Sequence, residues 1–282
     1  MQAIGVLDSG LGGLSILQQI WQDLPFELTI YLADSKYAPY GIKSKEFLCQ
    51  RSLDLCRFLC RQKVKIIVIA CNTATTNTIA YLRSHINHIP IIGVEPGIKP
   101  ALSISKNKHI GILATHNTII SDDFNQLMQG LALNYQQEFN IIPRWFPLAA
   151  NGLVELIENG NIHMNNQELV SLCKNYIDFL MQKNVDTIVL GCTHYPFLLN
   201  IFSKLYPTIK FIETAEAVVN HLKNTLLEQN TNVNINEKQN IVIEHKMLSS
   251  LNSQHLMEFV NENCRKHDRH KFNSYLYNTY YL

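Results

Sequence analysis

The sequence predicts an α/β fold of two pseudo-symmetric domains, each a mainly parallel sheet flanked by helices, with the functional site in the cleft between them. Three observations carry this. Short apolar runs alternate with stretches of helical periodicity, each run stops at small polar residues, and the whole pattern restarts near the middle of the chain. The 282 residues suffice for two domains of ordinary size, and 46% apolar residues supply their cores.

"AIGVLDSG" (3–10) reads as a strand ending in turn residues, and "LSILQQIWQDLP" (14–25) as a helix packed on it. "LTIYLAD" (28–34) is a second strand. "SKEFLCQRSLDLCRFLCRQK" (44–63) is a long amphipathic helix leading into the strand "KIIVIACN" (65–72). "TTNTIAYLRSHI" (75–86) is helical, and "IPIIGVEPG" (89–97) is a fourth strand stopped by Pro-Gly. Then "HIGILATHNT" (109–118) repeats the form of "AIGVLDSG", and "VDTIVLGCTHYP" (185–196) repeats "VKIIVIACNTAT". The offsets, about 106 and 121 residues, are far too long for a solenoid period and suit two related domains. "GVEPGIKPA" (93–101) is the expected crossing, and a second near "LYPTIKFIETA" (205–215) returns the chain. The expected domains are therefore 1–96 with 208–282, and 97–207.

Beyond residue 224 the composition changes. The Asn- and Gln-rich "NTLLEQNTNVNINEKQN" reads as an exposed loop, "IVIEH" (241–245) as an edge strand and "LNSQHLMEFVNENC" as a helix. The aromatic tail "FNSYLYNTYYL" is expected to dock on the surface or on another subunit.

A formal net charge of +1 gives no reason to expect nucleic acid as a partner. No run approaches about eighteen consecutive apolar residues, and "MQAIGVLDSG" lacks the features of a leader, so no membrane is expected and the location should be cytoplasmic. The seven cysteines form no CxxC pair, and no Cys/His spacing resembles a structural zinc site. Cys49, Cys56 and Cys60 lie at helical spacing, and Cys173 and Cys264 in helix-like stretches, where thiols are core material.

Cys71 and Cys192 differ, because both end apolar strands and are followed by polar residues. Taken singly, each could be core filling. As a pair facing one another across a cleft, they could take a proton from one face of a tetrahedral carbon and return one to the other, which is stereoinversion. Each thiol then needs a partner for its proton. Asp8 is the candidate in the first half, although an Asp before Ser-Gly also suits a loop cap. His194, two residues after Cys192, is the candidate in the second, since imidazole exchanges protons near neutral pH. Gly10-x-Gly12-x-x-Ser15 with Asp34 approaches a dinucleotide fingerprint, but a serine replaces the third glycine and Asp8 would face a pyrophosphate.

Together, "GVLDSGLGGLSIL", "YLADSKYAPYG", "ACNTATT", "GVEPGIKPA", "GILATHNT" and "LGCTHYPFL" closely resemble the glutamate racemases of the cofactor-independent aspartate/glutamate racemase superfamily, over roughly residues 3–212. The resemblance implies conversion of L-glutamate to D-glutamate for peptidoglycan, without pyridoxal phosphate or metal. It implies that Cys71 and Cys192 are the catalytic thiols, with Asp8 and His194 as their helpers. By the same resemblance Asp8 with Ser9, Tyr40 with Gly41, Asn72 with Thr73, and Thr193 with His194 hold the substrate, and Thr115 and Thr118 are further carboxylate contacts. Glu158 matches the family's cleft glutamate, with Glu155 as a competitor. A homodimer is expected, and some family members bind DNA gyrase, a property these residues leave open. Aspartate racemases carry Glu where His194 stands, which favours glutamate. The remaining alternatives are a non-catalytic two-lobed binding protein and a redox dithiol.

Overall fold

The computed structural model describes residues 2–160, 162–231, 242–264 and 270–277. Along the chain, β1 (Ile4–Asp8), α1 (Leu14–Asp23), β2 (Thr29–Ala33), α2 (Lys45–Arg61), β3 (Ile66–Ile69), α3 (Asn72–His85) and β4 (Ile91–Gly93) come first. There follow α4 (Ile98–Ile104), β5 (His109–Ala114), α5 (His116–Ile119), α6 (Asp122–Phe139), β6 (Arg144–Ala149), α7 (Leu153–Glu158), α8 (Gln167–Met181), β7 (Thr187–Gly191), α9 (Leu199–Leu205) and β8 (Lys210–Ile212). The last elements are α10 (Ala215–Glu228), β9 (Ile243–Ser249), α11 (Ser253–Asn263) and β10 (His270–Leu276).

Contacts divide the chain into two units, residues 1–94 with 215–282, and residues 95–214. The first holds a sheet of order β10-β9-β2-β1-β3-β4, parallel throughout. Every residue of β1, β2 and β3 is buried, as expected for strands covered on both faces. Leu14, Ile16, Leu17, Ile20 and Trp21 of α1 are buried, and Leu48, Leu55, Cys56 and Leu59 of α2 likewise. Each such aliphatic side chain contributes roughly 1.5–3 kcal/mol by leaving water. Caps fix where helices begin: Ser44 accepts from the Phe47 N–H ahead of α2, and Asn252 from the Gln254 and His255 N–H groups ahead of α11.

The second unit holds a sheet of order β6-β5-β7-β8, also wholly parallel. It repeats β2-β1-β3-β4 strand for strand. Gly5 on β1 and Gly111 on β5 are equivalent, and both make room for a leucine from the helix before the thiol strand. A Cβ would lie 3.2 Å from Leu59 at Gly5 and 3.0 Å from Leu180 at Gly111.

The structure corrects four expectations about the C-terminal region. The return to the first unit comes after residue 214, not at 208, because Lys210–Ile212 is β8 and pairs with β7. "NTLLE" is the last turn of α10, whose buried Val218, Val219, Leu222 and Leu226 give it a packing face. Residues 232–241 of the Asn-rich stretch lie outside the described residues. β9 is an interior strand, since β10 pairs beyond it and takes the edge. The aromatic tail supplies β10 itself, with residues 278–282 outside the described part.

All seven cysteines are free. Burial pushes the Cys56 thiol well up and that of Cys173 up to about 12, so these are inert at neutral pH. Cys264 caps the C-terminus of α11 instead of lying within it.

Candidate active site

In the first unit the site is built where β1 and β3 end. Asp8, the last residue of β1, is fully buried, and its Oδ2 accepts from the Gly10 N–H at 2.9 Å. The Tyr31 hydroxyl donates to the Gly10 carbonyl at 2.6 Å and holds the same turn. At Gly13 a Cβ would stand 2.5 Å from the Asp8 Cβ, so only glycine lets α1 begin this close to the carboxylate.

Cys71 follows β3 and is the N-cap of α3, with no side-chain cap bond of its own. It is buried, and its Sγ lies 3.7 Å from Ser9 Oγ. The amino-terminal end of this 14-residue helix stabilises negative charge, which favours a thiolate at Cys71 and a carboxylate bound next to it. Asn72 opens α3 at 2% exposure, yet its Oδ1 and Nδ2 have no hydrogen-bond partner among the described residues. An orphaned buried amide costs about 1–3 kcal/mol, so this one is suited to meet a ligand. Thr73, also buried, is next on the same turn. Tyr40 and Gly41 lie in a 3-10 turn (Tyr40–Ile42), and Tyr40 packs in the same buried cluster as Cys71. The Tyr40 hydroxyl donates to Asp34 at 2.7 Å, and burial together with Asp34 raises its pKa well above the usual phenol. Asp34 also takes a bidentate grip from Arg51, so it is occupied by the protein's own groups and not arranged for a ribose.

The second unit makes its site at the ends of β5 and β7. Cys192 follows Gly191, is buried, and has its Sγ 3.6 Å from His194 Nδ1. The other ring nitrogen, Nε2, lies 2.5 Å from Glu158 Oε1 at the end of α7. Burial by itself would lower the His194 pKa, but the hydrogen bonds to Cys192 and Glu158 and their charges raise it well above the ordinary value. Of the two candidate glutamates, Glu158 meets His194, whereas Glu155 is exposed. Thr193 is buried between thiol and imidazole in sequence. Thr115 caps α5, and its Oγ1 lies 3.0 Å from that of the fully buried Thr118.

Sequence reasoning missed Arg51 and Tyr277, whose hydroxyl reaches Asp34 at 3.0 Å. The signal for Arg51 was available, since it lies three residues after Leu48 and four before Leu55 on the apolar face of α2. For Tyr277 there was none. Among the described residues no cluster of three or more His, Cys, Asp or Glu side chains is arranged to hold a metal.

Each of the two parallel α/β units therefore carries a buried cysteine and a titratable side chain at its strand ends, Cys71 with Asp8 at the end of the adjacent strand in one and Cys192 with His194 at 3.6 Å in the other. The Asp/Glu/Hydantoin racemase family matches residues 4–222, and the chain belongs to that family. Within it the chain is similar to the glutamate racemase of Ralstonia pickettii, 42% identical over 224 residues, covering 79% of this chain and 76% of that one. It is 40% identical over 258 residues to the glutamate racemase of Cupriavidus pinatubonensis, covering 91% and 89%. Among solved structures, a glutamate racemase isoform of Bacillus anthracis superposes with a TM-score of 0.80 at 26% identity, covering 97% of each chain.

Proposed function

We propose that the protein interconverts L- and D-glutamate by a two-thiol proton transfer, without cofactor, and so supplies D-glutamate for peptidoglycan. The observation that carries this is the equivalence of Cys71 and Cys192: they lie two residues beyond Ile69 and Leu190, which pair with the equivalent Leu7 and Leu113 of the leading strands, with Asp8 at the end of the neighbouring strand in one unit and His194 3.6 Å from the thiol in the other. In this reading one thiolate removes the α-proton while the thiol on the opposite face delivers another. Asp8 serves Cys71, and His194, held by Glu158, serves Cys192.

Asn72, Thr73, Ser9, Thr193, Thr115 and Thr118 bind the carboxylates through neutral donors, together with Tyr40 and Gly41. Because the Tyr40 hydroxyl is engaged by Asp34, the contribution of that turn falls to its backbone. Neutral donors stabilise the charge that develops next to the α-carbon without fixing a thiolate in an over-stable ion pair. The same reading includes a homodimer and a cytoplasmic setting, in which seven free thiols stay reduced. Among the described residues no helix is long and apolar enough to cross a membrane.

The test is circular dichroism of the purified protein with D-glutamate and no added cofactor. The signal should decay to that of the racemate, and folded protein that leaves it unchanged refutes the reading.

A further inference from the structure

From the hydrogen bonds that converge on Asp34, we propose that Tyr277 is a positioning residue for substrate binding, acting from the C-terminal end of β10 on the Tyr40–Gly41 turn. The inference rests on the proposed function, in which that turn holds glutamate.

Asp34 is completely buried, and its carboxylate accepts from three side chains of different elements. Arg51 Nε reaches Oδ2 at 2.8 Å and Arg51 Nη2 reaches Oδ1 at 2.6 Å, a bidentate pair that fixes both oxygens in one plane. The Tyr40 hydroxyl completes Oδ2 at 2.7 Å, and the Tyr277 hydroxyl completes Oδ1 at 3.0 Å. The carboxylate therefore binds together the substrate turn, α2 and the residue that follows β10. In a buried network each donor restricts the others, so losing one loosens the remaining geometry.

Neighbouring contacts hold the same segment. The Arg51 guanidinium lies over the Tyr37 ring at 4.6 Å, and the Lys36 N–H donates to Ser250 Oγ just beyond β9 at 2.9 Å. Tyr277 is itself held: its ring stacks on Phe58 at 5.9 Å and its N–H donates to the Ser249 carbonyl at 3.0 Å. The hydroxyl thus points at Asp34 from a fixed ring. The stretch 35–42 that carries Tyr40 and Gly41 is tied to the last described residue of the chain.

The test is Tyr277→Phe, which keeps the ring and its stacking and deletes only the hydroxyl. KM for glutamate should rise about three- to tenfold, less than the full worth of a hydrogen bond to a charged group because Tyr277 acts only through the turn, while kcat stays within about twofold. The rise should be the same for L- and D-glutamate, because the turn serves both enantiomers. Tyr275→Phe, on an exposed ring of the same strand, is the control and should change neither constant. An unchanged KM, or a fall in kcat alone from a smaller folded fraction, overturns the inference. Wild-type protein assayed alongside separates this from failure of the proposed function, since there the wild type would also be inactive.

Discussion

The two units share four parallel strands in the same order, and each places a cysteine at the same register of its third strand, two residues beyond Ile69 in one and two beyond Leu190 in the other, yet they equip that cysteine differently. Pairing places Leu7 of β1 opposite Ile69 and Leu113 of β5 opposite Leu190, so Asp8 and Ala114 occupy the same position in the two units. Counting on from the thiols, Thr73 corresponds to His194. The first unit thus brings its acid from the neighbouring strand and leaves an uncharged hydroxyl after the thiol. The second leaves a methyl group on the neighbouring strand and brings an imidazole two residues after the thiol, steadied by Glu158 from α7.

The largest test of that comparison removes what the units share. Cys71→Ser and Cys192→Ser should each lower racemisation by about a thousandfold or more, because a serine hydroxyl is far too weak an acid to give the alkoxide near neutral pH. The remaining thiol still removes a proton from its own face. With a glutamate analogue bearing a β-leaving group, each mutant should eliminate that group from one enantiomer only, opposite for the two, as measured by release of the leaving group. Elimination of both enantiomers by one mutant would mean that a single base serves both faces.

Removing what the units do not share comes next. Asp8→Asn and His194→Asn should each cost about a hundredfold or more in kcat/KM. Because the two enantiomers are equally stable, that ratio must fall equally in both directions for any variant. The asymmetry appears instead in the α-deuterium isotope effect, which should grow in one direction for Asp8→Asn and in the other for His194→Asn. Identical isotope effects in both mutants would break the division of labour.

Glu158→Gln acts through His194. It replaces a charge-assisted hydrogen bond by a neutral one of about half the strength, a cost of about 1 kcal/mol, so a loss of roughly three- to tenfold is expected. Glu158 is among the groups that raise the His194 pKa, so the alkaline limb of the rate profile should move to lower pH in this mutant. Exposed Glu155→Gln should leave the profile in place.

The difference between the units also bears on what the sequence could reveal. Alternating apolar runs made β1, β2, β3, β4, β5 and β7 legible, and the motif pair around the thiols pointed to side chains that the structure gathers at strand ends in each unit. Several other elements were not legible, or not in their observed places. β6 contains Pro147 and has no fully apolar run, which suits a strand hydrogen-bonded on one side only. α10 ends in Asn-rich sequence, and polarity there masks the spacing of Val218, Leu222 and Leu226. β9 was legible as a strand, but its interior place comes from pairing with β2 across more than two hundred residues, and β10 takes its place by pairing with β9 in turn; no local pattern encodes either. Asp34 was legible as a special carboxylate, but its partners Arg51 and Tyr277 come from distant segments and only packing identifies them.

The smallest effect concerns stability, where a buried histidine in each unit, His245 in the first and His194 in the second, responds to pH with opposite sign. In the first unit His245 is fully buried, with Nδ1 2.7 Å from Thr29 Oγ1 and Nε2 without a partner among the described residues. Burial, with His270 stacked edge-on at 4.6 Å, pushes its pKa down to about 3. Below about pH 6.5 the unfolded chain takes up a proton that the folded unit refuses, so stability is whole above that pH. It falls on acidification by up to about 1.4 kcal/mol per pH unit. His194 in the second unit is raised instead, so its contribution is whole below about pH 6.5 and is lost as pH rises through its folded value. The chain's two tryptophans report the units separately: Trp21 lies 5.4 Å from His245, and Trp145 is on β6. In Trp145→Phe, the urea midpoint read from Trp21 should fall between about pH 7 and about pH 5. In Trp21→Phe, the midpoint read from Trp145 should fall less over the same range. His245→Asn, added to Trp145→Phe, keeps an acceptor for Thr29 and removes the titrating ring. It should flatten the first curve, and an unchanged slope there would assign the acid sensitivity of the first unit to other groups.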